Sequence, residues 1–272
     1  MRLALLALLG PLAACDAVLG LEAPPADPDA DVGPAAHPPY FVFRDDFETG
    51  YLRKWTKASR AAQPGTLDVI TGGATGDVHA GAHALRATSE AGDVGFQYEL
   101  LAWPQASPKA DPLTSGTIAV RAWIRAHQLD RDTRELSIAE HDTSPTAYAS
   151  AGFGATDPGP GYHWGFILSD PNTVNDTQAS ASDVADALGG WHCVEYIVNV
   201  APAGHLAIFM DDQAVPLIEG DADTTVHTGW DSVTIGLGYA SGSSASDVVI
   251  DDVAIALYTE LDRGRHLGCH DR

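Results

Sequence analysis

Thr117-Ile-Ala-Val-Arg-Ala-Trp-Ile-Arg125 decides how this chain is read. Ile118, Val120, Ala122 and Ile124 alternate strictly with Thr117, Ala119, Arg121, Trp123 and Arg125. A period of two is the signature of a strand with one buried face. Similar runs recur on either side, over Leu67–Thr71, His83–Ser89, Val94–Leu101, Arg134–His141, Tyr162–Leu168, Cys193–Val200, His205–Met210, Ser232–Tyr239 and Asp247–Leu257. Asp211-Asp212 reads as an acidic turn joining His205–Met210 to a strand over Gln213–Leu217. A short amphipathic helix is expected over Ala179–Leu188, ended by Gly189-Gly190. Many short strands with 27 Gly and 17 Pro to turn them predict an all-β fold, a two-sheet antiparallel sandwich or jelly roll.

Length and composition frame that reading. The chain has 272 residues, 45% of them hydrophobic and six of them Trp, enough for a real core. Its formal charge is −22, which leaves too few cations for a nucleic-acid surface.

The first residues read as an address. Met1-Arg2 and an apolar run to Leu12 form a segment too short to span a bilayer as a helix, and fit a secretory signal. Leu12-Ala13-Ala14-Cys15 resembles the bacterial lipobox, in which cleavage precedes a cysteine that then carries lipid; the alternative is a conventional signal cut near Ala14, with Cys15 an ordinary thiol. The expected organisation is a signal over 1–14, a lipidated Cys15 opening a Pro-, Ala- and Asp-rich tether over 15–39, and a body over 40–272. About 24 extended tether residues at roughly 3.1 Å each reach some 70 Å from a membrane. The acidic body gains nothing from anionic headgroups, so the acyl chains do the anchoring. The expected location is the cell envelope, at the outer membrane or cell surface rather than the inner membrane, with the protein a monomer.

The order of motifs in the body carries a further resemblance. Phe43-Arg-Asp-Asp-Phe-Glu48 is followed by Trp55, His79-Ala-Gly-Ala-His-Ala-Leu85 and Val120-Arg-Ala-Trp-Ile-Arg125. Then come Trp191-His-Cys-Val-Glu195, Leu206-Ala-Ile-Phe-Met-Asp-Asp212, Val249-Ile-Asp-Asp-Val-Ala254 and Leu267-Gly-Cys269. Together they resemble the concanavalin A-like lectin/glucanase superfamily, which implies a jelly roll of two curved sheets. That superfamily holds lectins, binding modules, glycoside hydrolases and polysaccharide lyases, so the fold does not fix the function.

The chemistry-bearing residues narrow the choice. Glycosidases need two carboxyls facing one cleft. Glu135 and Glu140 have opposite parity, and Asp142 does not restore the superfamily's Glu-x-Asp-x-x-Glu spacing. Gly161-Tyr-His-Trp-Gly-Phe166 lacks the lysine of the superfamily's lyase strand. A binding face is expected instead. Trp123 between Arg121 and Arg125 offers a stacking plate and guanidinium donors, and Glu135, His141 and Glu195 join them if their strands share the concave sheet. The opposing possibility is that a loop covers Trp123 and the arginines pair with carboxylates. Asp46, Glu48 and Asp252 are candidate ligands for a structural Ca²⁺, with Asp45 and Asp251 beside them. With Cys15 lipidated, Cys193 and Cys269 remain to form a disulfide in an oxidising compartment, the alternative being two free thiols. The bridge would close a loop of about 77 residues, worth roughly 4 kcal/mol in the chain-entropy model. The expected protein is a carbohydrate-binding envelope lipoprotein without catalysis. The alternatives are a divergent glycoside hydrolase or polysaccharide lyase, or a structural surface protein.

Overall fold

A computed structural model describes residues 39–52, 54–59, 65–73, 76–91, 97–102, 111–129, 133–139, 148–155, 162–169, 177–180, 188–226, 229–240, 244–263 and 265–269. Cys15, His141 and the tether up to residue 38 lie outside them.

The chain forms two antiparallel sheets in a jelly-roll sandwich. In the first, β1 (Phe41–Asp45), β3 (Gly65–Thr71), β4 (His83–Ser89), β6 (Gly116–Gln128), β11 (His192–Val200), β12 (Gly204–Met210), β13 (Ile218–Ala222) and β15 (Ser246–Tyr258) associate. Their order is β13-β12-β11-β6-β15-β4-β3, with β1 also on β15. The second runs β10 (Thr177–Ser180), β9 (Tyr162–Ser169), β8 (Tyr148–Ala155), β7 (Thr133–Ala139), β14 (Ser232–Ala240), β5 (Gln97–Ala102), β2 (Thr56–Ser59).

The alternation of β6 does what its pattern predicts on one side. Ile118, Val120, Ala122 and Ile124 are at most 1% exposed and meet Val194, Tyr196 and Val198 of β11 and Ile235 of β14 in the main core. The other side departs from expectation, because Thr117, Ala119 and Arg121 are also buried. The segment after β15 covers them. Thr117 Oγ1 donates to Glu260 O, Asn199 Nδ2 donates to Asp262 O, and Arg121 Nη1 donates to Gly268 O. A second apolar cluster of Ala119, Ile197, Ala207, Phe209, Ala256 and Tyr258 lies under this C-terminal strap, with Leu267 against it. The Cys193–Cys269 disulfide pins its end.

Two local expectations fail for physical reasons. The helix expected over Ala179–Leu188 is absent where it is described: Ala179 and Ser180 belong to β10, and Leu188 makes an isolated bridge to Ala126. The partner of β12 begins at Ile218 rather than Gln213, since Pro216 has no N–H to give a ladder. Asp211 and Asp212, at φ 53° and 57°, still make the turn.

Candidate functional site

The site grows from an irregularity in β15. Between Asp251 and Ala254 its register against β6 slips, and Asp252 takes a φ of 48°. A bulge bends a strand and re-aims its side chains. Here it also marks a change of neighbour: β4 pairs with residues up to Ile250, and β1 pairs from Val253 onward. Two loops settle over the junction, one following β1 and one preceding β4.

Carboxylates hold both loops. Asp251 is fully buried, and its Oδ2 accepts from His79 N at 3.0 Å and Ala80 N at 3.3 Å. Glu48 Oε1 accepts from Ala82 N at 2.7 Å and His83 N at 2.8 Å. Gly81, at φ 76°, leaves room for that carboxylate, since a Cβ there would fall 2.3 Å from Glu48 Oε1. Asp45 closes the first loop by accepting from Phe47 N and Trp55 Nε1. From the other side, Arg125 Nη1 and Trp191 Nε1 both donate to Gly76 O. Burial pushes the Asp251 carboxyl up to about 7, and the Asp252 charge adds to this while the N–H donors of Ala80, Asp252 and His79 oppose it.

These loops and the end of the strap enclose a cavity of about 800 Å³ on the outer face of the first sheet. That size falls within the roughly 300–1,000 Å³ range of small-ligand sites. Arg121, Trp123, Asp252 and Val253 line it from the sheet, Arg44, Tyr51 and Lys54 from the β1 side, and His79 and Cys269 from the other segments. The register explains part of this grouping. Arg44 and Arg121 are both opposite Ala254. Tyr51, 63% exposed, adds an aromatic ring. The imidazole of His79 stacks on Trp123 with centroids 3.8 Å apart, and Trp191 meets it edge-on at 5.6 Å.

The sequence-derived candidates divide. Arg121, Trp123, Asp46, Glu48 and Asp252 share this one cavity, although two separate roles were expected of them. Arg125 lies outside its lining, bonded to Gly76 O and 3.6 Å from Asp77. Glu195 is 3% exposed and accepts from Leu267 N, so it secures the strap instead of facing an open cleft. Glu135 lies on β7, in the other sheet, so the expected six-residue face does not assemble. Parity assigns a residue to a face and says nothing of which sheet its strand joins. His79, Tyr51, Arg44 and Lys54 were not singled out. His79 stands in the quoted His79–Leu85 motif, but its partner Asp252 is 173 positions away.

The expected calcium ligands do not fit a cation as arranged. A hard cation needs converging oxygen acceptors. Here the loop turns backbone N–H groups toward Glu48 and Asp251, and the Asp252 carboxylate is taken by His79. Among the described residues, the trio whose potential ligand atoms lie within 4.8 Å of one another is Glu195, Asp212 and Cys269, and the Cys269 sulfur is in the disulfide.

No protein-family model matches the chain, and the search of curated proteins finds no match. Solved structures do resemble it. "Cellulose induced protein, Cip1" aligns with 84% of this chain and 99% of its own, at TM-score 0.56 and 15% identity. An endo-beta-1,4-glucuronan lyase from the fungus Trichoderma reesei aligns with 79% of this chain and 94% of its own, at TM-score 0.52 and 16% identity. The globular domain of a T. cruzi calreticulin gives TM-score 0.51 at 13% identity, over 79% of this chain and 88% of its own. At such identities the likeness is one of fold, the two-sheet antiparallel jelly roll.

Proposed function

We propose that the protein is a cell-envelope lipoprotein, anchored through Cys15, that binds a polysaccharide in the cavity beside Trp123. The observation that carries this reading is the combination of walls: an exposed Tyr51 ring, the Trp123–His79 pair, and both charged signs in one cavity. Saccharides are bound by aromatic rings that take their C–H faces and by charged or polar groups that pair with hydroxyls and carboxylates. His79 covers one face of Trp123, so Tyr51 is the better stacking surface. The fold shared with a glucuronan lyase supports a glycan ligand in general terms.

Isothermal titration against neutral glucan and xylan oligomers and against oligouronates tests the reading. Tyr51→Ala should weaken binding about ten- to a hundred-fold, by analogy with base stacking on aromatic side chains, with the fold intact. No heat with any of these ligands would favour a structural surface protein.

A further inference from the structure

One side chain in the cavity is more constrained than binding requires. His79 Nδ1 lies 2.9 Å from Asp252 Oδ2. A carboxylate on one ring nitrogen fixes the neutral imidazole with its proton there and leaves a lone pair on the other. Three further contacts hold the ring's plane and position: the Trp123 stack, the Trp191 edge, and the bond from His79 N to Asp251. Asp252 itself is held in a left-handed conformation at the bulge. Backbone strain of this kind costs about 1–3 kcal/mol and clusters at working sites. Among the described residues, no protein group bonds the His79 Nε2, and the side chain keeps 21% of its exposure in the cavity.

The surrounding charges indicate what such a base could act on. Three of the chain's 15 Lys and Arg residues, Arg44, Lys54 and Arg121, line this one cavity in a protein of charge −22. Two of the carboxylates there are already committed, Glu48 to two N–H groups and Asp252 to His79, so neither is placed as a glycosidase acid. A positioned base beside cations suits removal of a proton from the carbon next to a carboxylate, since the cations offset charge developing on that carboxylate.

We infer that His79 is a catalytic base and that the cavity cleaves uronate-bearing polysaccharide by β-elimination, an inference that rests on the glycan-binding reading above. The uronate C5–H bond breaks and its proton passes to His79 Nε2. The electron pair forms the C4=C5 double bond as the C4–O bond to the next sugar breaks. The departing oxygen takes the proton back from the imidazolium. The products are one chain with an unsaturated uronate end and one with a new C4 hydroxyl, and neither water nor an oxidant is consumed. Asp252 is the positioning residue, and Arg44 and Lys54 take the carboxylate.

The experiment follows both binding and turnover on the full protein, with oligomers of glucuronate, of mannuronate and guluronate, and of galacturonate, and with cello-oligomers as the neutral control. Wild type should generate the ultraviolet absorbance of the C4=C5 uronate from at least one acidic oligomer. His79→Gln should lower that rate about 10²- to 10⁴-fold, the range for loss of a general base, while calorimetric affinity changes less than about threefold. Asp252→Asn should lower kcat with KM unchanged, a split that a purely structural residue would not give. Lys54→Met should raise KM for uronates by more than it weakens binding of the neutral oligomers. Binding of uronates without unsaturated product would overturn the inference and leave the glycan reading standing, as would binding of the neutral oligomers alone. Undiminished turnover by a folded His79→Gln protein would place the base elsewhere. Absence of binding by every oligomer would remove the glycan reading itself.

Discussion

The imidazole of His79 lies flat on the indole of Trp123, with planes 14° from parallel and centroids 3.8 Å apart. A residue expected to be a bare stacking plate is therefore part of a built assembly, in which the loop preceding β4 rests on β6. Its consequences for stability and for binding separate.

Trp123→Ala should destabilise the domain by about 2–3 kcal/mol, below the roughly 3–5 of a fully buried Trp, because the side chain is half-buried. Trp123 also lines the cavity, so its loss lowers binding together with stability. Tyr51→Ala should affect binding alone. Urea melts and calorimetry on the two variants check this, and a Trp123→Ala protein as stable as wild type would mean the stack contributes little.

Much of the fold was legible in the sequence, because β4 and β6 carry complete alternating patterns and the structure places strands at His83–Ser89 and Gly116–Gln128. Strands such as β8, Tyr148-Ala-Ser-Ala-Gly-Phe-Gly-Ala155, were not legible, since small residues on both faces give no period. The site was half legible. Face parity brought out Arg121 and Trp123, but the strap that covers Arg121 returns from more than 140 positions away. Nor does parity show that a bulge would turn Asp252 onto His79.

Asp251 should make stability depend on pH. Burial raises its folded-state value to about 7, above the unfolded value of 3.8. A raised value means the protonated form is favoured on folding. The associated stability is fully present below about pH 4 and is lost as pH rises through 7. The gap between 3.8 and about 7, at about 1.4 kcal/mol per pH unit, sets an upper bound of roughly 4 kcal/mol. Asp251→Asn removes this titration, so denaturant melts between pH 4 and 8 should show a shallower fall for the variant. Parallel curves for the two proteins would mean that Asp251 does not titrate in this interval.

The Cys193–Cys269 bridge should matter in proportion to what it pins. Its partners are 76 positions apart, and the chain-entropy model assigns roughly 4 kcal/mol to such a loop. Reduction, or Cys269→Ala, should lower the melting temperature and loosen the strap over Phe209 and Tyr258. Increased binding of a hydrophobic dye in the reduced but folded protein would report the uncovered cluster. An unchanged melt under reductant would show that Arg121, Asn199 and Glu195 hold the strap without the bridge.

Calcium should leave the domain's stability unchanged. A ligand that binds only the folded state adds RT ln(1 + [L]/Kd), about 2.7 kcal/mol at a hundred-fold excess over Kd, so a genuine site would move the melt by several degrees. The carboxylates of Glu48 and Asp251 already neutralise four backbone N–H groups, and a cation placed among them would meet those donors. Glu48→Gln keeps one carbonyl oxygen for Ala82 N and His83 N but loses the charge, and should cost about 1–2 kcal/mol, the difference between a charged and a neutral acceptor. Melting the wild type with excess calcium and with chelator decides the matter. A calcium-dependent rise that disappears in Glu48→Gln would mean that the loop can turn its carbonyls inward, and that the cavity's carboxylates serve a metal before they serve a sugar.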